Sequence, residues 1–192
     1  MRSYDVLIII FAGLFLLADC TSVRLTTFRD PAFQTVKFTR IAVVGDFADL
    51  DHRQRVEAKV VEALRARRVD AIEGISILPP TRTFTAEERQ HILSERGIEG
   101  FLLIGLEEAG FISAGTEDLE KQFASLKVRL IAVANDRVAW MADSRVQNLF
   151  ATTFPDSDFA KLLNAFSKKL AEKLIMDGVT APTLGKVQSS TP

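Results

Sequence analysis

Apolar positions follow several spacings along the chain, and each spacing predicts a different element. Residues 6–17 are apolar or small without interruption, whereas residues 23–28 alternate until Thr26 and read as a first strand, or a tether that becomes one, ending at Arg29-Asp30-Pro31. Residues 41–44, Ile-Ala-Val-Val, form an apolar run closed by Gly45-Asp46, the pattern of a strand covered on both faces. Val56, Val60, Ala63 and Leu64 then recur at helical spacing over residues 53–68, with Asp49 or Asp51 available as amino-terminal cap. The strand pattern returns over residues 70–78 and stops at Pro79-Pro80. Thr85 and Glu88 have capping-box spacing, so a helix is expected to about Arg96, ended by Gly97.

The most apolar run after the amino-terminal one, residues 100–106, predicts a central strand. Residues 107–122 are mostly polar and read as a loop or a hairpin that carries Phe111 and Ile112. Residues 124–132 and 138–142 alternate on either side of Asn135-Asp136, which predicts an antiparallel hairpin. Phe159, Leu162, Leu163, Phe166, Leu170 and Leu174 form one stripe of a last helix that Gly178 closes. The expected fold is α/β, a single domain with an α+β mixed sheet of about five to six strands and three helices packed on it. The expected divisions are a leader over 1–19, a tether with the first strand over 20–38, the domain over 39–178 and a flexible tail over 179–192.

Composition changes this picture at the amino terminus. A membrane-spanning helix needs roughly 20 apolar residues and an export-signal core roughly 7 to 15, so the length of the 6–17 run favours export. Leu17-Ala18-Asp19-Cys20 resembles the lipobox of bacterial lipoproteins, in which the cysteine is acylated and becomes the first mature residue. Asp19 stands where that family has Gly, Ala or Ser. Cys20 is the single cysteine, so no internal disulfide is available to it. The formal net charge is −1, and removal of the leader would take Arg2 on one side and Asp5 and Asp19 on the other. No charge excess points to nucleic acid.

Candidate chemistry is sparse. His52 and His91 lie on predicted helices among charged residues, with no HxxxH, CxxC or HxH spacing, so neither a metal nor a cofactor is expected. Ser76 lacks the second glycine of a nucleophile elbow. The segment from Gly105 to Gly110 has the end glycines of a phosphate loop, but Phe111-Ile112 occupies the place of its Lys and Ser/Thr, and it reads as a strand end plus turn. Glu107 and Glu108 are neighbours that a strand would send to opposite faces. Arg65, Arg67 and Arg68 suit a helix carboxyl end. Trp140 alternates with Val138 and Ala142, so it either packs in the core or, if exposed, anchors an interface. Phe111, Ile112 and Trp140 are the candidate interaction residues.

Cys20, Asp30-Pro31, the 41–44 strand, the 53–68 helix, Ile77-Leu78-Pro79, the 86–96 helix, the 100–106 strand and Val138-Ala139-Trp140 together resemble a group of small bacterial envelope lipoproteins. Their order also looks like the anticodon-binding-like α/β fold of the Tol propeller protein's amino-terminal domain, the curli secretion lipoprotein and the lipoprotein activators of cell-wall synthases. The resemblance implies a palmitate-bearing Cys20 and a binding or structural role in a cell-envelope assembly. Because Thr21 rather than Asp follows Cys20, it implies the periplasmic face of the outer membrane, with inner-membrane retention through an uncleaved leader as the alternative. Implied partners are the membrane and an envelope protein or a second copy of the chain. A small-ligand or peptidoglycan-fragment module, using the open sheet face or the Glu107 to Gln122 loop, is the alternative function, and an enzyme is the least expected.

Overall fold

The computed structural model describes residues 22–113, 120–148 and 156–182. Its elements are β1 (Ser22–Arg29), β2 (Arg40–Asp46), α1 (Leu50–Arg65), β3 (Asp70–Glu73), α2 (Ala86–Glu95), β4 (Gly100–Ser113), β5 (Glu120–Ala132), β6 (Arg137–Asn148) and α3 (Asp156–Met176). The six strands form one mixed sheet in the order β1-β6-β5-β4-β2-β3. β2 is parallel to β3 and β4, and the other pairs are antiparallel. This is the expected single-sheet α/β architecture with three helices.

Parallel neighbours require crossovers, and here they divide between the two faces of the sheet. On one face α1 and α3 pack against Ile41, Val43, Leu102, Ile104, Val128, Leu130 and Trp140 through Val60, Leu64, Phe166, Leu170 and Leu174. On the other, Leu93 of α2 meets Ala42, Phe101, Ile131 and Val133, with Ile77, Leu78 and Ile98. Ile41, Ala42 and Val43 are therefore all fully buried, which explains why β2 reads as an unbroken apolar run. Along β5, β6 and β1 the second face has no helix over it among the described residues. That is why these strands alternate.

The helix ends follow the expected local chemistry. Asp49 caps α1 by accepting from the His52 backbone N–H, and Thr85 with Glu88 forms the full capping box of α2. Gly97 and Gly178 take the left-handed conformation at φ 66° and 67°.

Three expectations are corrected. The 70–78 strand ends at Glu73, and Gly74–Ser76 is a 3-10 turn. The cause is Glu57, whose Oε2 accepts from the Ile75 N–H at 2.6 Å and draws the chain out of the ladder. Ile77 and Leu78 are buried beside α2 instead. The central strand does not stop at Leu106 but continues to Ser113 and pairs with β5 from Glu120. Of its two readings, loop or hairpin, the polar stretch takes the hairpin over its described residues, and a bulge between Leu106 and Glu108 interrupts its register. Finally, the start of the expected tail belongs to the fold. Val179 and Thr180 are buried, and Phe38 donates to the Val179 carbonyl at 2.9 Å.

Candidate functional site

The chain reverses its direction of travel across the sheet between β2 and β4, one crossover lying on each face. In open α/β sheets the crevice outside the carboxyl ends of such strands is where ligands bind. A cleft of about 340 Å³ lies at the carboxyl end of β2, beside the amino-terminal part of β4, which itself runs on to Ser113. Its floor is Val44, Gly45 and Asp46 of β2 with Leu103 of β4, and its walls are Arg53, Leu78, Pro79, Pro80, Arg82, Phe84 and Arg89.

The wall begins with a buried carboxylate. Glu57 is fully buried on α1; its Oε1 accepts from the Gly45 N–H at 2.8 Å and from Arg53 Nε at 2.9 Å, and its Oε2 accepts from Ile75. A charge out of water is retained only when paired and hydrogen-bonded, and these three donors supply both conditions. Arg53 is consequently held in place, 14% exposed, with Nη2 donating to the Leu78 carbonyl at 3.2 Å. Gly45 makes room for it, since a Cβ there would meet Arg53 Cγ at 3.1 Å.

The other two guanidiniums come from the opposite face. Arg82 stacks on Phe84 at 4.2 Å and pairs with Glu88 at 3.3 Å. Arg89 lies over Phe101 at 5.0 Å and reaches Asp136 at 3.2 Å. Asp46 is exposed, and its carboxylate is in no ion pair among the described residues. The arrangement is suited to holding oxygen anions. The cleft lining contains no Ser, Cys or His to act as nucleophile or base.

The sequence-predicted residues are scattered. Cys20 lies outside the described residues. Phe111 and Ile112 pair with Gln122 and Lys121 in the far part of the β4–β5 hairpin. Trp140 is fully buried and donates its indole N–H to Asp177, so of its two alternatives it takes the core and is withdrawn from the surface residues. His52 and His91 are exposed and sit beside Asp49 and Glu95. Ser76 is an exposed turn residue donating to the Glu73 carbonyl. Glu107 pairs with Lys127 at 2.6 Å, while Arg65 and Arg67 donate to the Ala71 and Ala63 carbonyls. Among the described residues no group of three or more His, Cys, Asp or Glu could hold a metal, and no helix is long and apolar enough to cross a membrane.

Sequence reasoning missed the cleft because its arginines, spread from position 53 to 89, meet only through the two crossovers. An open sheet face was expected, but not its residues or its extent among the described residues. There Phe28, 59% exposed, follows Met141 and Arg129 across the ladder, and the next row holds Thr26, Asp143 and Lys127.

Fold and cleft define a small mixed α/β domain with a crevice at the carboxyl end of β2, beside β4. No family model and no curated protein matches the chain. Among solved structures it is similar in fold to a PelC dodecamer from Paraburkholderia phytofirmans, at 14% identity and TM-score 0.51, covering 83% of this chain and 99% of that one. Protein XCC0632 from Xanthomonas campestris aligns at 13% identity and TM-score 0.49, over 82% and 94%. Lipoprotein GNA1162 from Neisseria meningitidis aligns at 15% and 0.46, over 70% and 99%.

Proposed function

We propose that this chain is a lipid-anchored component of a bacterial envelope assembly, with a binding or structural rather than enzymatic role, held by an acylated Cys20 at the periplasmic face of the outer membrane. The observation that carries this reading is the placement of the strand ends. β1 begins at Ser22, two residues after Cys20, a span of at most about 7 Å. Across the sheet Ser22 stands level with Gln147, Phe123 and Gly110, and the β4–β5 hairpin runs on past that level to Ser113 and Glu120. An anchor at Cys20 therefore brings the hairpin segment containing Phe111 and Ile112 to the same membrane-facing end.

The uncovered row around Phe28 supplies a surface for a protein partner, and a second copy of the chain is the first candidate. The dodecameric state of the PelC structure supports testing self-assembly. A second reading, a small-ligand or peptidoglycan-fragment module, is favoured by the cleft.

The test combines Cys20→Ser, palmitate labelling and membrane fractionation with crosslinking and mass spectrometry in intact cells. Loss of label and of membrane attachment is expected, together with a defined crosslinked species for the unaltered chain. Retention of both label and attachment in the variant sinks the anchor, and a purely monomeric pattern counts against assembly.

A further inference from the structure

We propose that the cleft at the carboxyl end of β2, beside β4, is an oxyanion site, taking a phosphate or carboxylate borne on a small apolar group. This inference does not depend on the lipid anchor. Three guanidiniums from two faces of the sheet line one cleft: Arg53, Arg82 and Arg89. Their carboxylate partners, Glu57, Glu88 and Asp136, are not among the lining residues, so the guanidiniums rather than those carboxylates border the cleft. A guanidinium has five N–H donors in a planar fork that matches an oxyanion, and Arg53 is already oriented by its bonds to Glu57 and Leu78.

The surroundings extend the same sign. Arg129 pairs across the ladder with the floor residue Leu103 and makes no ion pair among the described residues, and Lys127 pairs with Gly105. Against them stand Asp46 on the floor, Glu107 already bound to Lys127, and Asp143 opposite Lys127. Val44, Leu103 and Phe84 offer an apolar bed beside the guanidiniums, and a volume near 340 Å³ suits a small molecule rather than a polymer. Asp46, exposed on the cleft floor, would accept from a hydroxyl or ammonium on the same ligand.

Calorimetric titration of the full chain in detergent with phenyl phosphate, benzoate, inorganic phosphate and benzyl alcohol tests this. Saturable binding of phenyl phosphate or benzoate is expected, weakened about tenfold in each of Arg82→Gln and Arg89→Gln, with none for the alcohol. Both substitutions fall on partly exposed side chains, and unchanged circular dichroism will show that the fold is kept. Weaker binding of inorganic phosphate than of phenyl phosphate supports an organic anion, and equal binding overturns the role given to the apolar group. Absence of saturable binding by any of the three anions at about 10 mM overturns the site. So does binding that is indifferent to both arginine substitutions or matched by benzyl alcohol.

Discussion

The indole N–H of Trp140 donates to Asp177 Oδ2 at 2.9 Å, which fastens the middle of β6 to the carboxyl end of α3. Lys173 donates to the other carboxylate oxygen at 2.7 Å, and Arg29 Nη1 donates to the Asp177 carbonyl at 2.6 Å. Arg29 also holds the Phe33 and Val36 carbonyls. One small group of polar side chains thus joins β1, β6, α3 and the segment after β1.

Asp177 makes this junction sensitive to acid. Burial pushes its carboxyl up, but the bonds from Lys173, Trp140 and Thr27 and the charge of Lys173 outweigh it, so the group titrates below the ordinary aspartate range. A depressed folded value contributes stability above the unfolded one, and that contribution is lost as pH falls through the folded value. Asp177→Asn is expected to lose about 1–2 kcal/mol at neutral pH and to show a flatter acid limb in urea titrations. Identical curves for the two proteins at neutral and acid pH would refute this.

Trp140→Phe keeps an aromatic ring but removes the donor. A cost of about 1–3 kcal/mol is expected, since a smaller ring leaves space in the core and Asp177 loses a partner. In the Asp177→Asn background the same change should cost less, as a double-mutant cycle would show.

Glu57→Leu leaves the Gly45 and Ile75 N–H groups and Arg53 without their acceptor. Breaking a buried pair from one side costs about 3–5 kcal/mol, so chemical denaturation should show a loss of that order. A loss below about 1 kcal/mol would mean that water or a rearranged turn replaces the carboxylate.

Gly74 and Gly97 separate two kinds of glycine requirement. A Cβ at Gly74 would stand 2.6 Å from the Val43 carbonyl oxygen, whereas at Gly97 nothing lies within 4 Å and only the φ of 66° opposes a side chain. Gly97→Ala should therefore cost about 1 kcal/mol, and Gly97→Asn less. Gly74→Ala should cost more, because backbone must move, and Asn there should be worse still. Thermal midpoints of the four variants test the ordering.

Phe28→Ser should leave the monomer's stability within about 0.5 kcal/mol, because the ring is largely in solvent. If the uncovered face is the contact surface, the same substitution reduces crosslinked or self-associated species severalfold. Unchanged association would move the interface elsewhere.

Much of the fold was legible because its signals are local. The Thr85/Glu88 box, the glycines after α2 and α3, the apolar stripe of α3 and the unbroken run of β2 depend on neighbours a few residues away. Errors arose where distant groups decided. Residues 75–78 alternate like a strand, yet Glu57, far upstream, captures the Ile75 N–H and turns the chain. The apolar run of the central strand ends at Leu106, yet Lys127 of the neighbouring strand pairs with Glu107 and the strand continues to Ser113. The cleft was invisible for the same reason, its arginines having no shared spacing.

By itself the sequence determined the kind and order of most elements, through periodicity, capping and turn chemistry, and it offered Cys20 as the candidate lipid-attachment residue. The tertiary structure alone decided how α1, α3 and α2 divide between the faces and which face of β5, β6 and β1 has no helix over it among the described residues. It also decided that Arg53, Arg82 and Arg89 face one space while Trp140 faces none. Those outcomes depend on which strand lies beside which and on where buried polar groups find partners, and both are relations between distant parts of the chain.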